Sequence, residues 1–180
     1  MFDPTSLLTI GATFLLAGLV KGVIGMGLPT VSLGLLTAVV GLPQAMALLI
    51  IPAFMTNLWQ ALVGGHLIDL LKQHWIFFLI ATASVGLGVY FGKAIELSIL
   101  SALLGIILVI YSVTNLLGIS FVLSARQGRW SAPFFGATNG ILTGLTGSFV
   151  MPGVPYLQAL GLDRNQLVQA MGVLFTCSSL

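Results

Sequence analysis

Two seven-residue segments of the chain resemble each other. They are Gly18-Leu19-Val20-Lys21-Gly22-Val23-Ile24 and, 118 residues later, Gly136-Ala137-Thr138-Asn139-Gly140-Ile141-Leu142. More glycines follow each segment, at Gly25 and Gly27 in the first copy and at Gly144 and Gly147 in the second. Closely spaced glycines disfavour a continuous helix. The two segments therefore predict matching breaks in two apolar helical regions.

The similarity continues downstream of both glycine breaks. Gly41-Leu42-Pro43-Gln44-Ala45-Met46 is matched by Gly161-Leu162 and, after a five-residue insertion, by Gln169-Ala170-Met171. Each copy predicts a short apolar helix, a glycine break, a second short helix, a Gly-Leu pair and a long helix. We interpret this pattern as two repeats. The first covers residues 1–118, a cytoplasmic loop covers 119–132, and the second repeat covers 133–180 and is incomplete.

The composition is that of a membrane protein. Hydrophobic residues make up 58% of the 180 residues, only 6% are charged, and the mean hydropathy is +1.13. A globular domain has about 25% charged residues. Since so few charges cannot cover a water-exposed surface, we predict an all-α integral membrane protein. The Lys and Arg residues form no basic patch, which argues against a nucleic-acid partner, and the single cysteine excludes a disulfide framework.

Uncharged runs, divided at Pro and Gly, predict the helical elements. The first two are short, so the glycine segment between them is either a re-entrant hairpin or a tight turn between two full spans. Clean helix starts are expected at Pro43, Trp75 and Leu97. The predicted elements are Ser6–Val20, Pro29–Val40, Pro43–Val63, Trp75–Phe91, Leu97–Leu117, Ala132–Leu142, Gly153–Leu160 and Asn165–Leu180.

The positive residues predict an orientation. With Lys72, Arg126, Arg129 and Arg164 in the cytoplasm, Lys93 and the N-terminus lie outside. The number of crossings between the two repeats is then odd, so the second repeat enters the membrane from the opposite side. Inverted-topology repeats with interrupted helices are typical of secondary transporters, which bind their substrate near the middle of the bilayer.

Lys21 is the sharpest candidate for substrate binding. It is the only formal charge between Asp3 and Asp69, and it adjoins the first glycine break. An ammonium beside exposed backbone N–H groups suits a compact anion. The alternative is a lysine at a helix end whose charged head reaches the cytoplasmic interface.

The remaining candidates are neutral. Asn139 occupies the place of Lys21 in the second copy, where its amide bonds either the substrate or a neighbouring helix. Asn57 is interpreted as a packing residue within a long helix. Glycines of both breaks either expose backbone amides to the substrate or let helices pack closely. Those predicted to bind substrate are Gly22, Gly25, Gly27, Gly140, Gly144 and Gly147.

The predicted spans contain no Asp, Glu or His that could form a nucleophile–base pair, so we do not expect an enzyme. No metal or cofactor site is predicted. The expected partners are a small anionic substrate and the lipid bilayer, and a homo-oligomer stays open. The competing interpretation is a membrane scaffold or assembly subunit that transports nothing.

The glycine segments also carry a family resemblance. Gly18-x-x-Lys21-Gly22-x-x-Gly25-x-Gly27-x-Pro29, Gly41-Leu-Pro-Gln-Ala45 and Gly144-Leu-Thr-Gly147 resemble the TauE/SafE family of sulfite exporters over essentially the whole chain. The resemblance implies a multi-pass protein of the bacterial inner membrane. It implies export of small anions such as sulfite, organosulfonates or related sulfur and organic oxyanions. Together with the inverted repeats, it predicts a secondary transporter that works by alternating access.

Overall fold

The computed structural model describes residues 4–25, 27–119 and 121–179. These residues form eight α-helices and no strand, which confirms the predicted all-α fold class. Leu180, the last residue of the final predicted element, lies outside the described residues. In chain order the helices are α1 (Pro4–Ile24), α2 (Leu28–Val40), α3 (Leu42–Leu62), α4 (Leu67–Gly92), α5 (Leu97–Leu116), α6 (Ala125–Thr146), α7 (Gly153–Ala159) and α8 (Arg164–Ser178).

Four of these helices are long and apolar enough to cross a membrane, namely α1, α3, α4 and α5, with 21, 21, 26 and 20 residues. A helix of 20 residues spans about 30 Å, which is the thickness of the hydrocarbon core. α2 has 13 residues and therefore spans only about 20 Å. The chain is a multi-pass membrane protein whose full-length first helix is followed by a short one.

The first glycine break is shorter than predicted, because α1 continues to Ile24 instead of ending at Val20. The backbone N–H of Gly25 still donates to the carbonyl of Lys21, at 2.7 Å, so Lys21 lies in the last helical turn. Gly25 and Gly27 then adopt φ values of 82° and 109°, a region that glycine enters without a steric penalty. A Cβ at Gly27 would lie 3.0 Å from Val20 Cγ1, so the turn folds back tightly on α1.

α4 begins at Leu67, whereas the sequence predicted a start at Trp75. Asp69 lies in the first turn, where a carboxylate is favoured by the helix dipole, and Leu70 is buried. The helical geometry is interrupted at His74, with φ −123° and ψ 17°. The stretch between the predicted elements Pro43–Val63 and Trp75–Phe91 is therefore largely helical and joins the spanning part of α4 at a kink.

α6 is also longer than predicted, with 22 residues over Ala125–Thr146 in place of Ala132–Leu142. Ser124 and Gln127 form a capping box at its start, and the Ser124 hydroxyl accepts the Gln127 N–H at 3.3 Å. This signal extends the helix toward the N-terminus. The connecting loop predicted for residues 119–132 therefore contains about two turns of α6.

Three glycines allow α6 to pack closely against α4. A Cβ at Gly136 would lie 2.9 Å from the carbonyl oxygen of Phe77, and one at Gly144 would lie 2.8 Å from the Cα of Gly88. Gly140 lies between them and is equally close to α4. Small residues at every fourth position let two helix backbones approach closely. The glycines of α6 therefore remain helical, and the predicted break begins only at the end of α6.

α8 packs against α3. Gln169 Nε2 donates to the carbonyl of Ala61 and Gln169 Oε1 accepts the N–H of His66, both at 2.8 Å. Gly172 allows the close approach, since a Cβ there would lie 2.6 Å from the nitrogen of Ala61. The order of a long helix, a break, a short helix and a longer helix thus occurs twice, in α1–α3 and α6–α8. The inverted orientation of the two copies stays a prediction.

Candidate functional site

Lys21 points from α1 toward α3 and is buried, with 9% of its surface exposed. Its ammonium donates a hydrogen bond to Oδ1 of Asn57, which is fully buried on α3. Asn57 follows Leu49 and Ala53 along the buried face of α3, and Ala61 continues that face. The small alanines on either side leave room for a long side chain from the neighbouring helix. Packing therefore brings a charge from α1 and an amide from α3 together inside the protein.

This ammonium has no carboxylate beside it in the part of the chain that the structure describes. Its one side-chain hydrogen bond there is to Asn57, and no Asp or Glu lines the cavity on which it opens. A buried charge is normally paired or hydrogen-bonded, because desolvation is costly. An amide oxygen provides only part of that stabilisation, so the site retains an excess of positive charge.

Asn57 carries amide N–H donors of its own, behind the cavity lining. Because Oδ1 accepts from the ammonium, the Nδ2 group points the other way, and it has no hydrogen-bond partner among the described residues. An ammonium and an amide NH₂ group present N–H donors and no free charged acceptor. Since Lys21 lines the cavity and Asn57 does not, the ammonium supplies the donors that an anion in the cavity would meet.

A cavity of about 670 Å³ adjoins Lys21 between α1 and α3. Gly18 and Gly22 leave their side open, because a Cβ at either position would meet no atom within 4 Å. Gly25 also lines the cavity and packs against α8, where its Cβ would lie 3.1 Å from Val168 Cγ2. The residues lining the cavity are Gly18, Lys21, Gly22, Gly25, Leu28, Met55, Thr56, Trp59, Gln60, Val63 and Val168.

Three of the predicted binding residues thus come together at this cavity: Lys21, Gly22 and Gly25. Gly27 does not line it, and its positive φ and its contact with Val20 account for a glycine there through the shape of the turn. Binding of substrate by these residues stays a prediction.

Asn139, the counterpart of Lys21, has a structural partner. It is fully buried on α6, and its Oδ1 accepts the backbone N–H of Gly153 at 2.9 Å. Gly153 is the first residue of α7, whose initial N–H groups have no partner within the helix. The amide of Asn139 therefore attaches the start of the short helix α7 to α6. Its Nδ2 has no hydrogen-bond partner in the described ranges.

The glycines of the second copy lie away from the Lys21 cavity. Gly140 and Gly144 are in contact with the backbone of α4. Gly147 ends α6 with φ 72° and lies against Met46, 2.9 Å from the site of a Cβ. Gly144 and Gly147 also line a separate cavity of about 210 Å³, whose polar lining consists of Thr143, Ser178 and Ser179. Of the predicted binding residues, three therefore line the Lys21 cavity and two line the separate cavity, while the other three, Gly27, Asn139 and Gly140, line neither.

Asn57 is the residue whose place in this site the sequence did not reveal. Its interpretation as a packing residue of a long helix omitted its partner, Lys21, which lies 36 positions away. The available signal was its spacing, because Ala53, Asn57 and Ala61 recur every four residues and so occupy one helix face. A polar residue on a face of small apolar residues is a candidate contact for a charge on a neighbouring helix.

The sequence model of the family described as sulfite exporter TauE/SafE matches residues 10–180, almost the entire chain. No curated protein and no solved structure gave a significant match. The family match agrees with the multi-pass helical architecture and with the glycine segments around Lys21 and Asn139. The chain belongs to the sulfite exporter TauE/SafE family of membrane transporters.

Proposed function

We propose that this protein is a secondary transporter that exports small oxyanions such as sulfite, and that Lys21 binds the transported anion. The observation that carries the proposal is the buried Lys21–Asn57 pair beside the cavity at the first glycine break. Charged residues within spanning helices are rare and generally mark substrate or ion pathways. Here the charge lies in the last turn of α1, at a break in a helical hairpin.

The donors of the pair suit a compact oxyanion. After bonding Asn57, the Lys21 ammonium retains two N–H groups for an anion in the cavity. A sulfite ion has three oxygens that accept hydrogen bonds, and its charge would replace the counter-ion that Lys21 lacks. Lysine acts as a compact point charge.

Alternating access is a proposal supported by the element order. The long helices of the two copies, α3 and α8, meet each other, and both contribute residues to the Lys21 cavity. A substrate site between two repeats opens to either side when one repeat moves relative to the other. In this arrangement a rocking motion at the α3–α8 contact would change the access to Lys21.

The interpretation of Lys21 as a snorkelling lysine predicts an ammonium in contact with the lipid headgroups or water. Instead the ammonium bonds an asparagine that is fully buried on another helix. A scaffold protein would use this contact only for packing. A transporter and a scaffold should therefore respond differently when the positive charge is removed but the hydrogen bond to Asn57 is kept.

The test is anion flux into proteoliposomes, with sulfite compared with sulfate and acetate. We expect saturable sulfite flux, and Lys21→Gln to lower its kcat/KM by about tenfold to 100-fold, because a hydrogen bond to a charged group contributes about 1.5–3 kcal/mol. Glutamine can still donate to Asn57. Lys93→Gln is the matched control, since Lys93 is exposed after α4, and its flux should stay within about twofold.

A second variant separates binding from packing. In Asn57→Asp, the carboxylate would pair with Lys21, cancel the positive charge and remove the Nδ2 donors, while the contact between the helices is preserved. We expect flux to fall as far as in Lys21→Gln with no loss of thermal stability. Normal sulfite flux in both variants would overturn the role of Lys21. A complete absence of anion flux in the wild-type protein would favour the scaffold.

A further inference from the structure

A second cavity, of about 460 Å³, adjoins the Lys21 cavity. The two cavities have four lining residues in common and therefore lie side by side at the ends of α1 and α3 and the start of α8. We call the second cavity the vestibule. The shared residues are Gly22, Gly25, Val63 and Val168, and the others that line the vestibule are Val23, Ile24, Gly64, Arg164 and Asn165.

Arg164 is the only charged residue that lines the vestibule within the described ranges. It is exposed and has no ion pair or hydrogen bond of its side chain in that part of the chain. The neighbouring Asp163 is engaged elsewhere, since its Oδ1 accepts the N–H of Gln166 at 2.8 Å and caps α8. A cation in the first turn of a helix is unfavourable for the helix dipole. The stability of α8 therefore does not explain an arginine at this position.

We propose that Arg164 forms an outer anion site in the vestibule, where a small oxyanion is captured before it passes Gly22 and Gly25 to Lys21. This inference rests on the function proposed above. The two cations line adjacent cavities, and no carboxylate lines either cavity within the described residues. A guanidinium offers a planar pair of N–H donors that binds two oxygens of one anion.

The boundary between the two cavities is formed by two glycines, Gly22 and Gly25, and by two valines, Val63 and Val168. A Cβ at Gly22 would meet no atom within 4 Å, so the space beside it is open. Gly25, which lines both cavities, adds no side chain to the opening. Arg164 is exposed while Lys21 is buried. The outer site is therefore the weaker and more strongly salt-screened of the two, as capture before a deeper binding step requires.

The test measures how fast sulfite reaches Lys21. Trp59 lines the Lys21 cavity and serves as the fluorescent reporter once Trp75 and Trp130 are replaced by phenylalanine. Stopped-flow mixing of this purified protein with sulfite gives association and dissociation rates. At low ionic strength we expect Arg164→Gln to lower the association rate by about three- to tenfold, while the dissociation rate changes less than about twofold, as for charges at the rim of a site.

Arg126→Gln is the matched control. Arg126 is also exposed in the first turn of a helix that begins with a capping box, so the substitution removes the same charge from the same kind of helix start. Arg126 lines neither cavity, and its association rate should match that of the wild type. Arg164→Lys should restore the rate to within about twofold, and added salt should reduce the difference between wild type and Arg164→Gln.

The outcomes separate this inference from the proposed function. Equal association rates for Arg164→Gln and the wild type, or an equal decrease for Arg126→Gln, would overturn the outer site while leaving Lys21 in place. If the wild-type protein neither binds nor transports sulfite, both the outer site and the proposed function would be contradicted. The KM of sulfite flux provides a second measurement, and it should rise about three- to tenfold in Arg164→Gln with kcat nearly constant.

Discussion

The first glycine segment surrounds Lys21 and the second surrounds Asn139, at corresponding places in the repeated pattern. Around Lys21, Gly22 leaves open space, and a cavity reaches the ammonium. Around Asn139 the same spacing produces close packing, because Gly140 touches the backbone of α4 and the amide bonds Gly153. The same pattern of residues thus borders a cavity in one half and forms a tightly packed contact between helices in the other.

The side chain at the shared position accounts for part of this difference. An asparagine oxygen accepts a backbone N–H, so Asn139 can be satisfied by the start of α7. An ammonium has no acceptor and cannot bond that group. Lys21 instead bonds the amide oxygen of Asn57 and keeps unused donors. The amide at one position therefore stabilises the fold, while the ammonium at the other leaves a positive charge beside a cavity.

The largest expected effect comes from making the second segment resemble the first. Asn139→Lys places an ammonium where the group at hydrogen-bond distance is the Gly153 N–H, itself a donor. An unpaired buried charge destabilises a protein by about 3–5 kcal/mol. We expect that loss in the free energy of unfolding, measured by denaturant titration in detergent.

The control for this change is Asn115→Lys, near the end of α5, where the exposed side chain can reach the membrane interface. Its stability should change by less than about 1 kcal/mol. Equal stability of Asn139→Lys and the wild type would show that the second segment tolerates a charge, and the contrast between the two halves would fail.

A smaller loss of stability is expected from a methyl group at the α4–α6 contact. In Gly140→Ala the new Cβ would lie 2.7 Å from the Cβ of Ser84 and would also meet the carbonyl of Ala81. Since α4 would have to shift, we expect the free energy of unfolding to fall by about 1–3 kcal/mol. Gly86→Ala is the control on α4, because a Cβ there meets nothing within 4 Å. A thermal midpoint for Gly140→Ala as high as that of Gly86→Ala would contradict the close contact.

The smallest effect in free energy concerns transport alone. Gly22→Leu adds a side chain that projects into the space shared by the Lys21 cavity and the vestibule without a clash at its Cβ. We expect sulfite flux to fall about tenfold, equivalent to about 1.4 kcal/mol, with normal thermal stability. Gly11→Leu is matched to it, since Gly11 is also on α1 with no atom within 4 Å of its Cβ, and it lines neither cavity. Equal flux in both variants would place the anion path elsewhere.

Local signals accounted for most of the helices. Predicted and observed bounds agree closely for α2, α3, α5 and α7, because prolines, glycines and changes of polarity mark helix ends within a few residues. The predicted helix bounds were wrong where capping or a contact with another helix outweighed the local signal. At α6 the capping box of Ser124 and Gln127 extended the start, and contact with α4 kept the glycines helical. At α4 the burial of Leu70 made a polar stretch helical.

Composition and short-range spacing were sufficient to predict that the chain lies in a membrane, that it is helical and that its glycine segments occur twice. The sequence also singled out Lys21, because one charge in a long apolar run is conspicuous. The hydrogen bond between Lys21 and Asn57, and the position of Arg164 beside the adjacent cavity, could be seen in the folded chain alone. These residues lie on α1, α3 and α8. Side-chain packing between helices that are distant in sequence has no local signature from which it could be predicted.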